Sequence, residues 1–338
     1  MGSVCLIAIV GGIAQMASGQ SAVIDGHHFV WVEAEQFPEL GGWKIDSQFL
    51  EQMGSSYLLA QGLHGPVEDA RTEIELPAEG LWTVWVRTKN WCPDVQPPPG
   101  RFTVRIGGNE SEVLGTHTND RWRWQRAGAF HLTGGRHELR LHDLTGEYGR
   151  CDCILLTDDP DFIPPQDVDG YTNLRYRITG VDDNFKPVGE WDVVVAGGGV
   201  AGCFAAIAAA RHGARVCLIQ NRPVLGGNAS SEITVGVGGA SVNAARYSRE
   251  SGLIEEGWRE ALRLGSWSAG LEYMVRAEPL IDLFLNTHAT GVEMADDHTI
   301  AAVKARNVLT GQGYLFRGRI FIDCTGDACV GVAAGAEY

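Results

Sequence analysis

The chain is short of positive charge. Its 338 residues carry 27 Lys and Arg against 42 Asp and Glu, a formal net charge of −15 at pH 7, and they contain no Lys/Arg run. Duplex affinity rests on cations that neutralise phosphates, so this balance excludes a nucleic-acid partner. An anionic cofactor would need local backbone donors instead of a basic surface. Long apolar runs are also missing. The amino-terminal run from Val4 to Ala14 falls well short of the ~20 residues of a spanning helix, which excludes a membrane span there. Cys151 and Cys153 sit close together in "CDC", but no second Cys/His pair with zinc spacing accompanies them, so no metal site is expected.

What is present is a globular balance of 44% hydrophobic and 20% charged residues, in a chain of a length that suits two domains. Residues 1–22, "MGSVCLIAIVGGIAQMASGQSA", place an apolar run before Ala17, Ser18 and Gly19. The pattern is that of a secretory signal cleaved near Gly19 or Gln20, and it implies an exported protein, periplasmic or extracellular. The usual basic start is missing, since the first Lys or Arg is Lys44. A buried amino-terminal strand or a misplaced start are the alternatives.

Residues 23–160 read as an all-β sandwich or jelly roll. Short alternating runs such as "FVWVEAE", "ARTEIELP", "LWTVWVRTKN" and "CDCILLTDD" are broken by glycine, and about eight strands at this spacing fit that architecture. In "LWTVWVRT" the alternation puts Leu81, Thr83, Trp85 and Arg87 on one face and Trp82, Val84 and Val86 on the other. Cys151 and Cys153, two apart on a strand, are expected to share a face. Seven of the ten tryptophans fall in this half. Trp31, Trp82 and Trp85 are expected in the core. Trp43, Trp91, Trp122 and Trp124 have loop-like neighbours and are expected to be exposed, where aromatic rings can stack on sugars. Residues 161–190, acidic and proline-bearing without clear periodicity, read as a linker.

From residue 191 the pattern changes to α/β. "DVVVAGGGVAGCFAAIAAARHGARVCLIQ" runs from a buried strand through a glycine turn and a small-residue helix to a second strand. Gly197, Gly199 and Gly202 have G-x-G-x-x-G spacing, and their context makes a dinucleotide site. Gly197 permits the tight turn, Gly199 lets the backbone approach a pyrophosphate, and Gly202 lets helix and strand pack closely. Gly198, Val200 and Ala201 complete the turn, with N–H groups and the helix dipole aimed at the phosphates. The acid expected to close the second strand is absent. Gln220 stands there, an uncharged acceptor for the ribose, with Asn221 or Arg222 to assist or Arg222 to stack on adenine. A second polar glycine loop follows, "RPVLGGNASSE", with Gly226, Gly227, Asn228, Ser230 and Ser231. "RIFIDCTGDA" is a further buried strand that ends in Thr325, Gly326 and Asp327.

Two resemblances follow from these residues. "WVEAEQF", "LPAEGLWTVWVRTK" and "GRCDCILLTDD" resemble carbohydrate-binding jelly-roll modules appended to polysaccharide-degrading enzymes. That resemblance implies a bound glycan. It also implies a structural calcium at Glu33 or Glu35 and Asp152, for which a pair of solvated carboxylates is the favoured alternative. "AGGGVAG", "RPVLGGNASSE" and "YLFRGRIFIDCTGDA" resemble bacterial FAD-dependent oxidoreductases with a glutathione-reductase-like fold. This implies an FAD-binding Rossmann-like domain over residues 191–338 in which the second loop wraps the pyrophosphate and Asp327 accepts from the ribityl chain, Asp323 being the competing claimant. Flavin domains of that kind continue past the T-G-D strand, so the domain is expected to be incomplete at its carboxy terminus. The expected activity is hydride transfer from a small organic substrate, a carbohydrate or glycoside, to flavin. The other reading is a glycan-binding protein with an idle flavin half. An NAD dehydrogenase is disfavoured by the second glycine loop and the T-G-D strand. No histidine stands out as a catalytic base, and the residues from Tyr247 to Leu264 read as an amphipathic helix with a stripe of Leu253, Ile254, Trp258 and Leu262.

Overall fold

The computed structural model describes residues 19–181, 185–238 and 252–337. They form two compact units, residues 19–46 with 57–179, and residues 47–56 with 180–181, 185–238 and 252–337. Residues 1–18, most of the expected signal, lie outside the described residues. Gln20–Ile24 is already β1, so the β-module begins before residue 23.

Among the described residues, the first unit is all-β with one α-helix. β2 (His27–Glu33) follows β1, then β3 (Trp43–Asp46), the short α1 (Leu50–Met53) that belongs to the other unit, and β4 (Tyr57–Gln61). β5 (Ala70–Leu76), β6 (Gly80–Lys89), β7 (Phe102–Ile106), β8 (Asn109–Glu110), β9 (Trp122–Leu132), β10 (Gly135–Asp143) and β11 (Glu147–Thr157) complete the strands. β11 pairs with β2, β4 and β6 in a seven-stranded sheet, and β5-β10-β7-β8 form a second sheet. Burial in β5 alternates strictly, with Ala70, Thr72, Ile74 and Leu76 turned inward. That period-two pattern closes a core with Val32, Trp82, Val84, Val86, Ile154 and Leu156 from the larger sheet.

The residues expected to be a linker instead form α2 (Val168–Thr179). Tyr171, Leu174, Arg175 and Ile178 are its buried residues, at i, i+3, i+4 and i+7. The helical stripe was concealed because one of its four members is a charged arginine. α2 covers the outer face of the larger sheet, where Phe29, Trp31, Trp124, Cys153 and Leu155 form a second core with Tyr171, Leu174 and Ile178.

This helix corrects the reading of the tryptophans. Trp124, expected in the open, is 5% exposed and lies edge-on to Trp31 at 5.5 Å. Trp43 opens β3 and packs against Phe102, and Trp122 packs against Tyr57. Of the four expected on the surface only Trp91 is there, at 37%. Cys151 and Cys153 do not share a face either. The ladder between β11 and β6 shifts register between them, and this bulge turns Cys151 into the inter-sheet core and Cys153 toward α2.

The second unit is built on a six-stranded sheet in the order β14-β13-β12-β17-β16-β15. β12 (Lys186–Ala196), α3 (Val200–Arg211) and β13 (Val216–Ile219) are followed by α4 (Leu253–Leu264), α5 (Trp267–Ala277) and β14 (Ile281–Phe284). β15 (Thr287–Asp296), β16 (Thr299–Asn307), β17 (Gly313–Asp323) and α6 (Cys329–Ala333) end the chain. β14, β13, β12 and β17 run parallel, while β16 is antiparallel to both of its neighbours. Gly202 is required where α3 crosses β12, because a Cβ there would lie 1.8 Å from the Gly197 carbonyl oxygen. The expected stripe on α4 is its packing seam only in part, since Leu253 packs on the core of this unit. Leu262 is 64% exposed, while Gly257 and Ala261 are buried, and α5 approaches through Gly270 beside Ala261. The residues from Tyr247 to 251 of that expected helix lie outside the described residues.

Candidate cofactor site

β12 is the strand at which chain order in the sheet reverses. β13 follows it on one side, and β17 pairs on the other. Ligands of open α/β sheets bind outside the carboxyl ends of the strands at such a point. Here those ends are tied together: Gly197 N–H donates to the Ile219 carbonyl at 2.8 Å, and Cys324 N–H to the Ala196 carbonyl at 2.8 Å. A cavity of about 530 Å³ opens above them, a volume ordinary for small-molecule sites.

The glycine turn forms the cavity floor. Gly197 has φ 101°, and a Cβ on it would lie 2.3 Å from the Cys324 carbonyl oxygen. Gly199, the N-cap of α3, differs: its φ is −65°, and a Cβ would meet nothing within 4 Å. Its bare face opens into the cavity, so an anionic group can lie against the main chain at the start of a helix.

The cavity lining includes Gly197, Gly199, Gln220, Asn221, Arg222, Gly227, Asn228 and Asp327 of the residues expected from the sequence. Gly198, Val200, Ala201, Gly202, Gly226, Ser230 and Ser231 are not part of it. Gly198 and Gly202 are buried behind the turn, and Gly226 N–H donates to the Gly198 carbonyl at 2.9 Å, which holds the second glycine loop against the first. Ser231 N–H donates to Ser268 Oγ, which donates to the Leu225 carbonyl, so α5 anchors the same loop. Ser230 is 1% exposed, and its hydroxyl accepts from Glu232 N–H.

Gln220 needs a correction. Its side chain is 4% exposed; Oε1 accepts from Gly198 N–H at 2.9 Å and Nε2 donates to the Val224 carbonyl at 3.0 Å. The amide therefore braces the first glycine turn against the segment leading to the second, and one lone pair and one N–H are what it has left to offer a ribose. An amide can do this where a carboxylate cannot, because one end must donate. Gln220→Ala should cost about 2 kcal/mol by stranding a buried N–H and a partly buried carbonyl, measurable as a lower urea midpoint. Arg222 donates to Glu232 at 2.9 Å, which ties the end of β13 to the second loop.

Of the two aspartates, Asp323 is consumed by its own turn. It accepts from Thr325 N–H and Oγ1 and from Val330 and Gly331 N–H, at 2.6 to 3.0 Å. Partial burial pushes its carboxyl up, but these donors outweigh it and hold the group below the usual range. Asp327 is exposed and borders the cavity. The lining also contains residues that motif reading missed: Thr287, His288 and Ala289 at the start of β15, and Ser47, Gln48, Phe49, Leu50 and Gln52 around α1. No local pattern announced the latter, since they lie some 150 residues from the turn and join this unit only in the fold. Burial pushes the Cys203 thiol, behind the turn, up to about 12, with Cys324 adding to the rise, so it stays protonated and offers no nucleophile.

Residues 192–338 match the model of the family described as FAD dependent oxidoreductase. The cofactor is FAD, and this part of the chain is an FAD-dependent oxidoreductase domain. The open face of Gly199 at the start of α3 is the cradle that a diphosphate requires, so the residues fit the group. A comparison with curated proteins gave no match. Among solved structures, the chain is similar to THI4 of Thermovibrio ammonificans (18% identity, TM-score 0.29, 43% of this chain and 61% of that one). It is similar to a flavocytochrome c3 fumarate reductase (17%, 0.30, 42% and 36%), and to the C-terminal CBM6 of LamC from Zobellia galactanivorans (14%, 0.29, 38% and 98%). The chain thus spans less than two thirds of either flavoprotein, and likeness at these scores carries no argument about chemistry. Among the described residues no helix is long and apolar enough to cross a membrane.

Proposed function

We propose that the protein is an exported flavoenzyme that takes hydride from a small organic substrate, with a glycan-binding β-module in the same chain. The observation that carries the flavin half is the cavity at the reversal point of the sheet with the bare Gly199 main chain on its floor. The α/β unit is read as Rossmann-like, of the glutathione-reductase kind found in bacterial FAD-dependent oxidoreductases. Bound FAD supplies the hydride acceptor. The chain's own part is to hold and orient it: N–H groups at the start of α3 would hold the diphosphate, Asp327 would accept from a ribityl hydroxyl, and Asn221 would serve the ribose. Purified protein loaded with FAD should be yellow and bleach with dithionite. A protein that stays colourless and retains no FAD after gel filtration refutes this reading.

The glycan half rests on one loop rim. Trp91, in the β6–β7 connection, keeps its ring open while its Nε1 donates to the Glu147 carbonyl at 3.0 Å. Tyr148 braces the ring edge-on at 5.4 Å, and the Arg150 guanidinium lies 5.9 Å from its centre. A fixed, exposed indole is a platform for a sugar face. Trp91→Ala should weaken retention on a polysaccharide affinity gel by ~10-fold, on the order of 1.4 kcal/mol, with the melting midpoint unchanged. Equal retention would remove Trp91 from the site.

A further inference from the structure

The β-module carries a buried charge cluster that neither reading uses. Glu33 at the end of β2, Glu35 in the turn that follows and Asp152 on β11 are 7%, 4% and 0% exposed, so they are not the solvated carboxylates expected from the sequence. Beside them lie two buried arginines, Arg87 on β6 and Arg175 on α2. Arg175 Nε donates to Glu33 Oε1 at 2.6 Å, and Arg87 donates to Asp152 Oδ2 at 3.1 Å. The same Oδ2 accepts from Tyr171 OH at 3.0 Å and from the Cys153 thiol at 3.5 Å. The Arg87 guanidinium stacks 3.7 Å above the Tyr171 ring.

A calcium ion takes six to eight oxygens at about 2.3–2.6 Å, and this donor set does not offer them. Among the described residues, the group whose ligand atoms lie within 4.8 Å of one another is Glu33, Asp152 and Cys153. It includes a sulfur, which a hard cation does not favour. Burial and the Asp152 charge push that thiol well up from its usual range. Two guanidinium groups already hold one oxygen each of Glu33 and Asp152, and a dication placed among them would face two like charges at short range. Two oxygens, Oε2 of Glu33 and Oε2 of Glu35, lack a hydrogen-bond partner, too few for a calcium shell.

We propose that Arg87 and Arg175 take the place of a divalent ion in this module, so that its carboxylate cluster is neutralised by side chains and α2 is locked onto the sandwich without metal. Three carboxyl groups face two guanidinium groups, which leaves one negative charge over. Burial and the neighbouring Glu33 charge push the Glu35 carboxyl well above the usual range. Arg175 does two jobs with one group. It supplies charge that a calcium-dependent module would take from solution, and it brings a helix that seals the face holding Trp31 and Trp124. Metal dependence is exchanged for a covalently attached cation.

The test uses the full FAD-loaded chain. Protein dialysed against about 1 mM calcium, a concentration that fills sites of extracellular affinity, is analysed for bound metal. Melting is then followed by near-ultraviolet circular dichroism in chelator and in calcium. Wild type should retain no calcium above background and melt at one temperature in both. In chelator, Arg175→Met should melt about 10 °C lower, and Arg175→Lys, which keeps the charge, should fall between the two. Stoichiometric calcium in the wild type overturns the proposal. So does an Arg175→Met variant that melts with the wild type, or an Arg175→Lys variant no more stable than Arg175→Met. If Arg175→Met does not fold, the calcium content of the wild type and the midpoint of Arg175→Lys decide.

Discussion

Gly199→Val should abolish FAD binding while leaving the flavin unit folded. At φ −65° a valine is unstrained, and its Cβ would meet no protein atom within 4 Å. The space it fills is the approach of the diphosphate to the main-chain N–H groups at the start of α3. Losing that approach should weaken FAD binding by ~100-fold or more, about 3 kcal/mol. Equilibrium dialysis reads the affinity and far-ultraviolet circular dichroism the fold. Gly202→Ala is the contrast, since its Cβ would fall 1.8 Å from the Gly197 carbonyl oxygen and separate α3 from β12. It should lose stability first and cofactor as a consequence. If Gly199→Val keeps wild-type affinity, the diphosphate does not lie on this turn.

The second large effect belongs to Asp152→Ala. Asp152 is 0% exposed and accepts from both Arg87 and Tyr171. Its removal leaves the Arg87 guanidinium, 3% exposed, buried without its carboxylate, and strands the Tyr171 hydroxyl. Breaking a buried pair on one side costs about 3–5 kcal/mol, which for a unit of this size lowers the melting midpoint by about 10 °C. The loss should be seen first in the near-ultraviolet signal of Trp31 and Trp124, because the ring of Tyr171 packs on both. Wild-type stability in Asp152→Ala would mean that α2 is held by its apolar contacts alone.

Much of the flavin unit was legible because its signals are local. A tight turn, a close helix–strand crossing and an open approach each demand glycine, and the three positions lie within six residues of one another. The small-residue helix expected after them is α3. The alternation in β6 likewise put Trp82, Val84 and Val86 on the inner face. Where the reading failed, a distant partner had the deciding vote. Gln220 looked like a ribose ligand because it closes β13, yet the backbone of Gly198 and Val224 takes both ends of its amide. Trp124 looked exposed because the helix that covers it lies some 45 residues onward and carries an arginine on its buried stripe.

The amino acids by themselves determined the order of the two units, the periods of their strands and helices and the turn on which a dinucleotide can rest. These depend on steric demands within a few residues. Tertiary structure alone decided which polar groups remain free for ligands, which tryptophans face solvent and that α1 borders the cofactor cavity. Each of those outcomes turns on which distant group reaches a buried donor, acceptor or charge, and such pairing has no periodicity for a linear pattern to reveal.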